Sequence, residues 1–388
     1  MVLVQDKPGF RTTLGATVLV TGSSGLVGAR LVEMLLERGA AKVICFDLAP
    51  PSHQLLGRFT TAAGGEANVN ANDKRFVICA GPTEGDICNQ EAVDAAFAKA
   101  PKIDVVYHIA ALVGPFHDKN LYTAVNYHGT LHVMEAAKRC QVSRFVNSSS
   151  PSTRFTGADM EGLREDEMEI PTTFLALYAG SKAAAEQEVT KAATNTFMTI
   201  NVAPHQVYGP HDQLFLPNLL ETMGNGRLRI FGKGRNKISV CYVDNYCHGL
   251  MCGADALVPD FCGMGKFYII TDGPEQYFWD ILNDAGMAMG FQDLTTKFHL
   301  PTAFLMTIAY ICNVVGFLIG KKLKLNPFNV KMLTIHRYFS IENAKRDLEY
   351  EPLFEFDPSW KRTIEWYKIN WLPGYLERET KGCSKKSN

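Results

Sequence analysis

The chain has 388 residues, of which 46% are hydrophobic and 20% are charged, so its composition excludes wholesale disorder and allows a sizeable core. This length exceeds that of a usual single domain and predicts one large domain with a smaller lobe, or two domains. Its 39 basic and 40 acidic residues leave a net charge of −1. Because a basic field is missing, no nucleic acid partner is expected.

The N-terminus has no basic segment followed by an apolar one, so we expect no secretory signal and free thiols in a reducing compartment. Cys241, Cys247 and Cys252 are spaced too widely for a zinc knuckle, and we interpret them as small buried residues. The sequence shows no cluster of metal ligands, so no metal site is expected.

In the first half of the chain, short apolar runs alternate with stretches of helical spacing. The runs are 16–21, 43–47, 76–79, 105–109 and 145–148, and the first helical stretch is 27–38. Strands that alternate with helices indicate right-handed βαβ units, so the predicted fold is α/β, a Rossmann-type doubly wound parallel sheet with a smaller C-terminal substrate lobe. Residues 52–75 are rich in Ala, Gly and Asn and are interpreted as a surface insertion.

A glycine-rich turn follows the first predicted strand. Gly22 permits the tight turn, Gly25 lets the backbone approach a pyrophosphate, and Gly28 lets helix and strand pack closely. Asp47 ends the next strand, 19 residues after Gly28, where a carboxylate accepts hydrogen bonds from the adenosine ribose. Because that carboxylate would repel a 2′-phosphate, NAD is favoured over NADP. The alternative is an ordinary turn with a capping aspartate.

Tyr178 and Lys182 are four residues apart in a segment of high helix propensity, so they share one helix face. An ammonium near a phenol is expected to lower its pKa, and Tyr178 could then take the proton of a substrate alcohol. Ser148, Ser149 and Ser150 end a predicted strand and offer a hydroxyl to the reacting oxygen. The alternatives are two unrelated surface residues and a serine that only caps a helix or a turn.

These motifs together resemble the extended short-chain dehydrogenase/reductase family and, within it, the 3β-hydroxysteroid dehydrogenase branch. The similarity covers roughly residues 17–371. It is carried by TGSSGLVG, Asp47, GDI at 85–87, HIAAL at 108–112, VNYHGT at 125–130, SSS, YAGSK and VYGP at 207–210. Stretches outside the dinucleotide fold are more specific, among them GKFYIITDGPEQYFWDIL and HRYFSIENAKRDLEYEPL.

The resemblance implies a role for each matching residue. The turn would hold the pyrophosphate through Gly22, Ser23, Gly25, Leu26, Val27 and Gly28. The adenosine half of the cofactor would lie against Asp47, Asp86 and Ile87. Elsewhere Ala110 and Ala111 would pack near the cofactor, Asn126 would steady that strand end, and Pro204 and Val207 would lie beside the nicotinamide.

The catalytic set implied by the resemblance is Tyr178 and Lys182 with Ser149 or Ser150, and the sequence does not decide between the two serines. Lys182 would also hold the nicotinamide ribose. Where the family usually has Arg-Pro, this chain has Ala203-Pro204. No residue at this position can therefore take the role of that arginine.

The implied activity is NAD-dependent oxidation of the 3β-hydroxyl of a 4α-carboxysterol to the 3-ketone with decarboxylation, in sterol biosynthesis. Alternatives on the same fold are a 3β-hydroxy-Δ5-steroid dehydrogenase/isomerase and a nucleotide-sugar epimerase or dehydratase. An alternative outside the enzymes is a non-catalytic, NAD-sensing interaction protein. By analogy with the family, a homodimer formed through the helices that bear Asn126 and Tyr178 is expected.

Residues 298–320 contain no Asp, Glu, Lys or Arg and are followed by Lys321, Lys322 and Lys324. The segment is long enough to span a bilayer, but the family places residues on both sides of it in one globular unit. We therefore expect a helix or shallow hairpin in one membrane face, the alternative being a buried helix. The terminal Lys385-Lys386-Ser387-Asn388 resembles a dilysine signal, so the cytosolic face of the endoplasmic reticulum membrane is expected, or else a soluble cytoplasmic protein.

The expected domain division assigns residues 14–205 to the NAD-binding domain, with 238–258 returning to it. Residues 206–237 and 259–376 are assigned to the substrate lobe, and 377–388 to a polar tail.

Overall fold

The computed structural model describes residues 6–65, 75–114, 117–319, 323 and 325–384. Its central sheet contains seven strands: β1 (Thr17–Thr21), β2 (Lys42–Asp47), β3 (Phe76–Ala80), β4 (Val105–His108), β5 (Arg144–Ser148), β7 (Met198–Pro204) and β11 (Phe267–Ile270). All pairs are parallel, and the order is β11-β7-β5-β4-β1-β2-β3. The predicted doubly wound Rossmann-type sheet is confirmed, and the five apolar runs form its first five strands.

The central sheet is buried on both faces because its strands are apolar throughout. On β1, Val18 and Val20 pack into one hydrophobic cluster while Leu19 packs into another on the opposite face. One face is covered by α1 (Leu26–Glu37), α2 (His53–Ala62) and α8 (Val243–Ala256), the other by α3 (Gln90–Phe97), α5 (Gly129–Arg139) and α6 (Leu177–Lys191). Between β4 and α5 lie α4 (Lys119–Tyr122) and a π-helical turn, Thr123–His128. This layering explains why the runs lack the polar alternation of a half-exposed sheet.

A smaller lobe covers one end of the central sheet. Its four-stranded sheet has the order β12-β9-β13-β6, formed by β6 (Met160–Leu163), β9 (Lys237–Ile238), β12 (Gln276–Tyr277) and β13 (Arg337–Phe339). A two-stranded sheet pairs β8 (Val207–Tyr208) with β10 (Cys241–Tyr242). The remaining helices are α7 (Leu216–Gly224), α9 (Phe278–Ala288), α10 (Thr302–Leu318), α11 (Pro327–Met332), α12 (Glu342–Leu348), α13 (Phe356–Asn370) and α14 (Leu372–Ser384).

The structure of three segments differs from the sequence-based expectation. The first part of 52–75 forms α2, which buries Leu55 and Phe59 against the sheet. Strand β11, expected in the substrate lobe, pairs with β7 in the central sheet. Helix α14 extends to Ser384 into the expected polar tail, and Lys385 to Asn388 lie outside the described residues. The division of the chain into two domains remains a proposal.

Helix α10 occupies most of 298–320 and is largely exposed. It packs on α11 through Leu305 and Ala309, which meet Val330. Apolar side chains that are at least 43% exposed surround the rest of this segment: Phe298, Phe304, Tyr310, Ile311, Val314, Val315, Phe317, Leu318 and Ile319. The buried-helix alternative is therefore wrong. Among the described residues, no helix has the length and apolarity needed to cross a membrane, and Lys321, Lys322 and Lys324 lie outside those residues.

Candidate active site

The glycine-rich turn joins β1 to α1 and needs its glycines for steric reasons. Gly22 has φ of +73°, and a Cβ there would lie 2.8 Å from the amide nitrogen of Ala110. A Cβ on Gly28 would collide with the Gly22 carbonyl group, which is backbone and cannot move aside. Gly25 is the residue before α1 and has no side-chain cap, so the helix N-terminus keeps free N–H groups. The turn therefore has the close backbone packing and the helix dipole that a pyrophosphate site needs.

Two buried side chains that the sequence analysis did not single out fix the turn against the end of β4. The Thr21 hydroxyl accepts hydrogen bonds from the amides of Ile109 and Ala110, both at 3.1 Å. The Thr21 oxygen also lies 2.9 Å from His108 Nδ1, and His108 Nε2 lies 2.9 Å from the Thr130 hydroxyl. Burial and the Lys182 charge lower the pKa of His108 to about 3, so its ring is a neutral linker. The apolar runs of β1 and β4 predict that both side chains are buried, but not that they meet.

Asp47 ends β2 beside the turn. Its carboxylate accepts hydrogen bonds from the amides of Ser24 at 2.8 Å and Ala49 at 2.7 Å, while burial raises its pKa. The next loop is tied to the same place because the Gly81 amide donates to the Asp47 carbonyl at 3.2 Å. Asp86 follows in that loop and accepts from the Cys88 amide, and Ile87 is buried in the core. The structure thus joins the end of β2, which bears Asp47, to the loop that bears Asp86 and Ile87.

Tyr178 and Lys182 lie on consecutive turns of α6, as the spacing predicts. The Lys182 ammonium is buried and donates to the Ser148 carbonyl at 2.6 Å. Burial lowers the pKa of Lys182 to about 8, against the opposing charge of Glu186. Burial also raises the pKa of Tyr178 to about 12, and the hydrogen bond from Ser150 opposes this shift. The expected lowering of the Tyr178 pKa by Lys182 is therefore wrong for this structure, because burial raises the pKa and the group that lowers it is Ser150.

The two candidate serines have different partners. Ser150 interacts with the Tyr178 phenol and lowers its pKa, while the Ser150 hydroxyl also lies 2.9 Å from the Ser152 hydroxyl and accepts from the Ser152 amide at 3.2 Å. Ser149 instead donates to the Glu186 carboxylate at 2.5 Å and is buried. Glu186 also pairs with Arg154 at 2.6 Å, which stacks on the Phe267 ring. The Ser149 hydroxyl thus points toward the buried Glu186–Arg154 ion pair and away from Tyr178.

Glu186 was not singled out from the sequence, although a signal for it exists. Tyr178, Lys182 and Glu186 follow one another at intervals of four residues, which places all three on one face of α6. Its partner Arg154, in the turn Pro151–Arg154, has no such signal because it precedes Glu186 by 32 residues.

Asn126 joins α6 to the loop after β4. Its amide oxygen accepts from the Leu112 amide at 2.7 Å, and its amide nitrogen donates to the Leu112 carbonyl and the Ser181 hydroxyl. This network holds the segment that contains Ala110 and Ala111 against α6.

Pro204 and Val207 also lie at the carboxyl ends of the central strands. Pro204 ends β7 and pairs with Ile270, while Val207 begins β8 and pairs with Cys241. Ala203, which replaces the family's usual arginine, is fully buried in an apolar cluster with Phe155 and Phe339. An open groove of about 740 Å³ lies elsewhere, at the β11 edge of the sheet, and reaches Arg154 and Glu186 but not Tyr178.

The central sheet, the glycine-rich turn and the Ser150–Tyr178–Lys182 set together define a Rossmann-type, dinucleotide-dependent oxidoreductase. The sequence model of the NAD dependent epimerase/dehydratase family matches residues 18–259. This chain belongs to that family, and its cofactor is NAD.

Curated relatives match over most of their length. The chain is 30% identical to the 2-alkyl-3-oxoalkanoate reductase of Stenotrophomonas maltophilia over 89% of this chain and 97% of the relative. It is 27% identical to the human sterol-4-alpha-carboxylate 3-dehydrogenase, decarboxylating, over 90% of this chain and 87% of the relative. These matches confirm the expected membership and the expected NAD-dependent oxidoreductase class.

Solved structures support the same fold. The UDP-glucuronic acid 4-epimerase of Bacillus cereus in complex with NAD superposes with a TM-score of 0.66 at 20% identity, covering 92% of this chain and 97% of that chain. The epimerase Mth375 of Methanothermobacter thermautotrophicus also has a TM-score of 0.66, at 23% identity, covering 94% of this chain and 95% of that chain.

Proposed function

We propose that this protein oxidises the 3β-hydroxyl of a 4α-carboxysterol to the 3-ketone, and that the resulting β-keto acid loses carbon dioxide. The observation that carries the proposed chemistry is the Ser150–Tyr178–Lys182 set at the strand ends, on the same edge of the sheet as the glycine-rich turn. Tyr178 is the acid–base group in this proposal, and Ser150 binds the reacting oxygen.

The described residues fit a dinucleotide along the strand ends. The turn from Gly22 to Gly28 would hold the pyrophosphate and Asp47 the adenosine ribose, with Asp86 and Ile87 beside adenine. Lys182 would hold the nicotinamide ribose, with Ala110, Ala111, Pro204 and Val207 near the ring. When bound, oxidised NAD supplies the hydride acceptor and a positive charge on its nicotinamide ring.

The proton chemistry belongs to the protein. As its phenolate, Tyr178 takes the substrate hydroxyl proton as the carbinol carbon is oxidised, while Ser150 donates a hydrogen bond to the substrate oxygen. Lys182 has a pKa of about 8 and is mainly charged at neutral pH, so its ammonium favours the phenolate once the proton is moving. Asn126 and Glu186 touch neither the substrate nor its proton and act as positioning residues.

Decarboxylation needs no further group from the protein. In a β-keto acid, the carbon–carbon bond to the carboxylate breaks and its electron pair passes to the neighbouring carbonyl as an enolate. Carbon dioxide leaves in that step, and the enolate then takes up a proton to give the ketone. The protein therefore needs only to oxidise a hydroxyl on the carbon β to a carboxylate.

The names of the two relatives support this substrate class. A 3-oxoalkanoate with a 2-alkyl group and the 3-ketone of a sterol 4-carboxylate share a carbonyl β to a carboxylate whose α-carbon bears carbon substituents. The sterol is the leading proposal because α10 presents a large apolar surface, which suits a lipid-like substrate taken from a membrane. A 2-alkyl-3-oxoalkanoate is the second candidate, favoured by the 30% identity to the reductase.

The direct test incubates the protein with NAD and 3β-hydroxysterols that have or lack a 4α-carboxylate, following NADH and carbon dioxide. We expect both products in equal amounts from the carboxylated sterol. NADH without carbon dioxide from a 3β-hydroxy-Δ5-steroid would favour the dehydrogenase/isomerase alternative, and turnover of nucleotide sugars alone would favour the epimerase alternative. NAD binding without turnover of any substrate would favour the alternative that the protein is a non-catalytic, NAD-sensing interaction protein.

Asp47→Ala is expected to raise the Kd of NAD about tenfold and that of NADP much less, because the lost carboxylate binds the ribose of NAD but repels a 2′-phosphate. Both constants can be measured by titration calorimetry. Glu84→Ala is the matched control, since it removes an exposed acid of the neighbouring loop. An equal loss for both cofactors would exclude the ribose role.

We propose that the exposed side chains of α10 lie in one face of a membrane, with the following lysines at the headgroups. An endoplasmic reticulum location on the cytosolic side rests on this helix and on the terminal lysines. The membrane contact and the endoplasmic reticulum location are both proposals about where the protein binds its substrate.

Phe317→Asp/Leu318→Asp is expected to reduce binding to phosphatidylcholine–phosphatidylserine vesicles at least tenfold, because the two most exposed apolar side chains of α10, at 86% and 75%, would no longer enter the bilayer. Vesicle flotation measures this loss. Ile369→Asp is the control, because Ile369 is 73% exposed on α13, away from α10. Equal flotation of the wild-type protein, the Phe317→Asp/Leu318→Asp variant and the Ile369→Asp control would contradict membrane contact through α10.

A homodimer formed through the helices that bear Asn126 and Tyr178 is also proposed. Leu121 precedes Asn126 and is 42% exposed, while Leu175 and Leu177 at the start of α6 are 49% and 42% exposed. Apolar side chains exposed on adjacent helices suit a contact with a second copy of this chain.

A further inference from the structure

Arg337 is a buried cation without an anionic partner. It begins β13, and the residue is only 7% exposed. One terminal nitrogen lies 3.3 Å from Nε2 of His205, and the other donates to the Met332 carbonyl at 2.9 Å. Its Nε has no hydrogen-bond partner, and no carboxylate in the described part of the chain pairs with the guanidinium.

An uncompensated guanidinium is an unusual feature of a protein interior. Burying a charge without a counter-ion is strongly unfavourable, and a buried N–H without an acceptor adds to that cost. Burial lowers the pKa of Arg337 to about 10, so the side chain remains charged at neutral pH. The fold therefore holds a positive charge and a free donor in a place where an apolar residue would be less costly.

His205 orients this cation without neutralising it. Its Nδ1 lies 2.6 Å from the Ser239 carbonyl, which can only accept, so Nδ1 carries the proton. Burial and the charge of Arg337 lower the pKa of His205 to about 3, so the ring is neutral and Nε2 accepts from Arg337. The edge of the Phe339 ring packs on the imidazole, with the ring centroids 5.2 Å apart.

His205 connects this pair to the end of β7, the strand beside the one that leads into the proposed reaction centre. His205 directly follows Pro204, which ends β7. The neighbouring strand β5 leads into Ser149 and Ser150, and the Ser149 amide donates to the Val202 carbonyl of β7 at 2.8 Å. His205 is thus only three residues beyond the point where β7 meets the serine segment, at the sheet edge where ligands of such folds bind.

We infer that Arg337, oriented by His205, binds the carboxylate of the substrate. The inference rests on the proposed function and names the group that selects its substrate class. A guanidinium forms two parallel hydrogen bonds with a carboxylate, and the unpartnered Nε supplies one of the donors. In a β-hydroxy acid the carboxylate carbon is two bonds from the carbinol carbon, so one ligand presents both groups to this end of the sheet. The ketone left after carbon dioxide departs no longer pairs with Arg337, which favours its release.

The test compares a 4α-carboxy-3β-hydroxysterol with its 4α-methyl ester, using the full-length protein and NAD. We expect kcat/KM of the wild-type protein to be about 100-fold higher for the acid, since a buried charge pair contributes an effect of this size. Arg337→Met should lower kcat/KM for the acid about 100-fold, mainly through KM, and change that for the ester less than about threefold. Arg337→Lys should lie between, because lysine keeps the charge without the two-pronged geometry.

Arg235→Met is the matched control, because Arg235 is an exposed arginine of the same lobe. Equal use of acid and ester by the wild-type protein would overturn the inference, and this comparison needs no variant to fold. Equal losses for both substrates in Arg337→Met, with NAD affinity and melting temperature unchanged, would also overturn it. If neither sterol is oxidised, the proposed sterol is wrong, and a 2-alkyl-3-hydroxyalkanoate and its methyl ester test Arg337 by the same two criteria.

Discussion

Tyr178→Phe is expected to lower kcat at least 1,000-fold while the Kd of NAD changes less than about threefold. The variant loses only the phenol oxygen, which is the proton acceptor in the proposed reaction, and general acid–base groups contribute rate factors of about 100 to 10,000. The ring and its edge contact with Tyr122, at a centroid distance of 6.3 Å, are kept. NADH formation in single turnovers and an NAD titration measure the two quantities.

Tyr277→Phe is the control for this prediction, because it removes a phenol oxygen from an exposed tyrosine in β12. Its kcat should match that of the wild-type protein. Normal turnover in Tyr178→Phe would remove Tyr178 from the mechanism, and the roles given to Ser150 and Lys182 would then lose their basis.

Gly28→Ala is expected to raise the Kd of NAD at least 100-fold and to lower the melting temperature. The added Cβ would meet the Gly22 carbonyl group, so the turn must open and the start of α1 must move away from it. Because the backbone amides of this turn are the proposed ligands of the pyrophosphate, opening it removes several hydrogen bonds at once. Calorimetric titration with NAD and thermal unfolding measure the two effects.

Gly57→Ala is the matched control, since a Cβ at this position of α2 meets no atom within 4 Å. It should leave NAD affinity unchanged and stabilise the fold by about 1 kcal/mol, because alanine is a better helix former than glycine. If Gly28→Ala binds NAD with wild-type affinity, the pyrophosphate does not lie on this turn.

The position of Glu186 explains why Ser149 and Ser150 cannot exchange roles. The carboxylate accepts from Ser149 and Thr153 and pairs with Arg154, so the hydroxyl of Ser149 completes a buried ion pair. Ser150 follows the same strand but extends toward Tyr178. Adjacent residues of an extended chain face opposite sides, and here one serine meets a buried carboxylate and the other meets Tyr178, the proposed acid–base group.

The sequence by itself determined the first five strands of the central sheet, the glycine-rich turn and the spacing of Tyr178 and Lys182. Each of these depends on a local pattern: apolar runs of four to six residues for buried strands, small residues where the backbone must turn, and a four-residue interval for one helix face. Even the burial of Cys241, Cys247 and Cys252 follows from their apolar surroundings.

Tertiary structure alone decided which groups meet across long stretches of chain. Arg337 contacts His205, 132 residues earlier, and no periodicity in the sequence connects β13 with the end of β7. The exposure of α10 is equally invisible in its composition, because an apolar helix is compatible with a core and with a membrane face until its neighbours are known. The pKa of Tyr178 could not be predicted from the sequence either, because desolvation depends on everything packed around the phenol, and here burial raises that pKa.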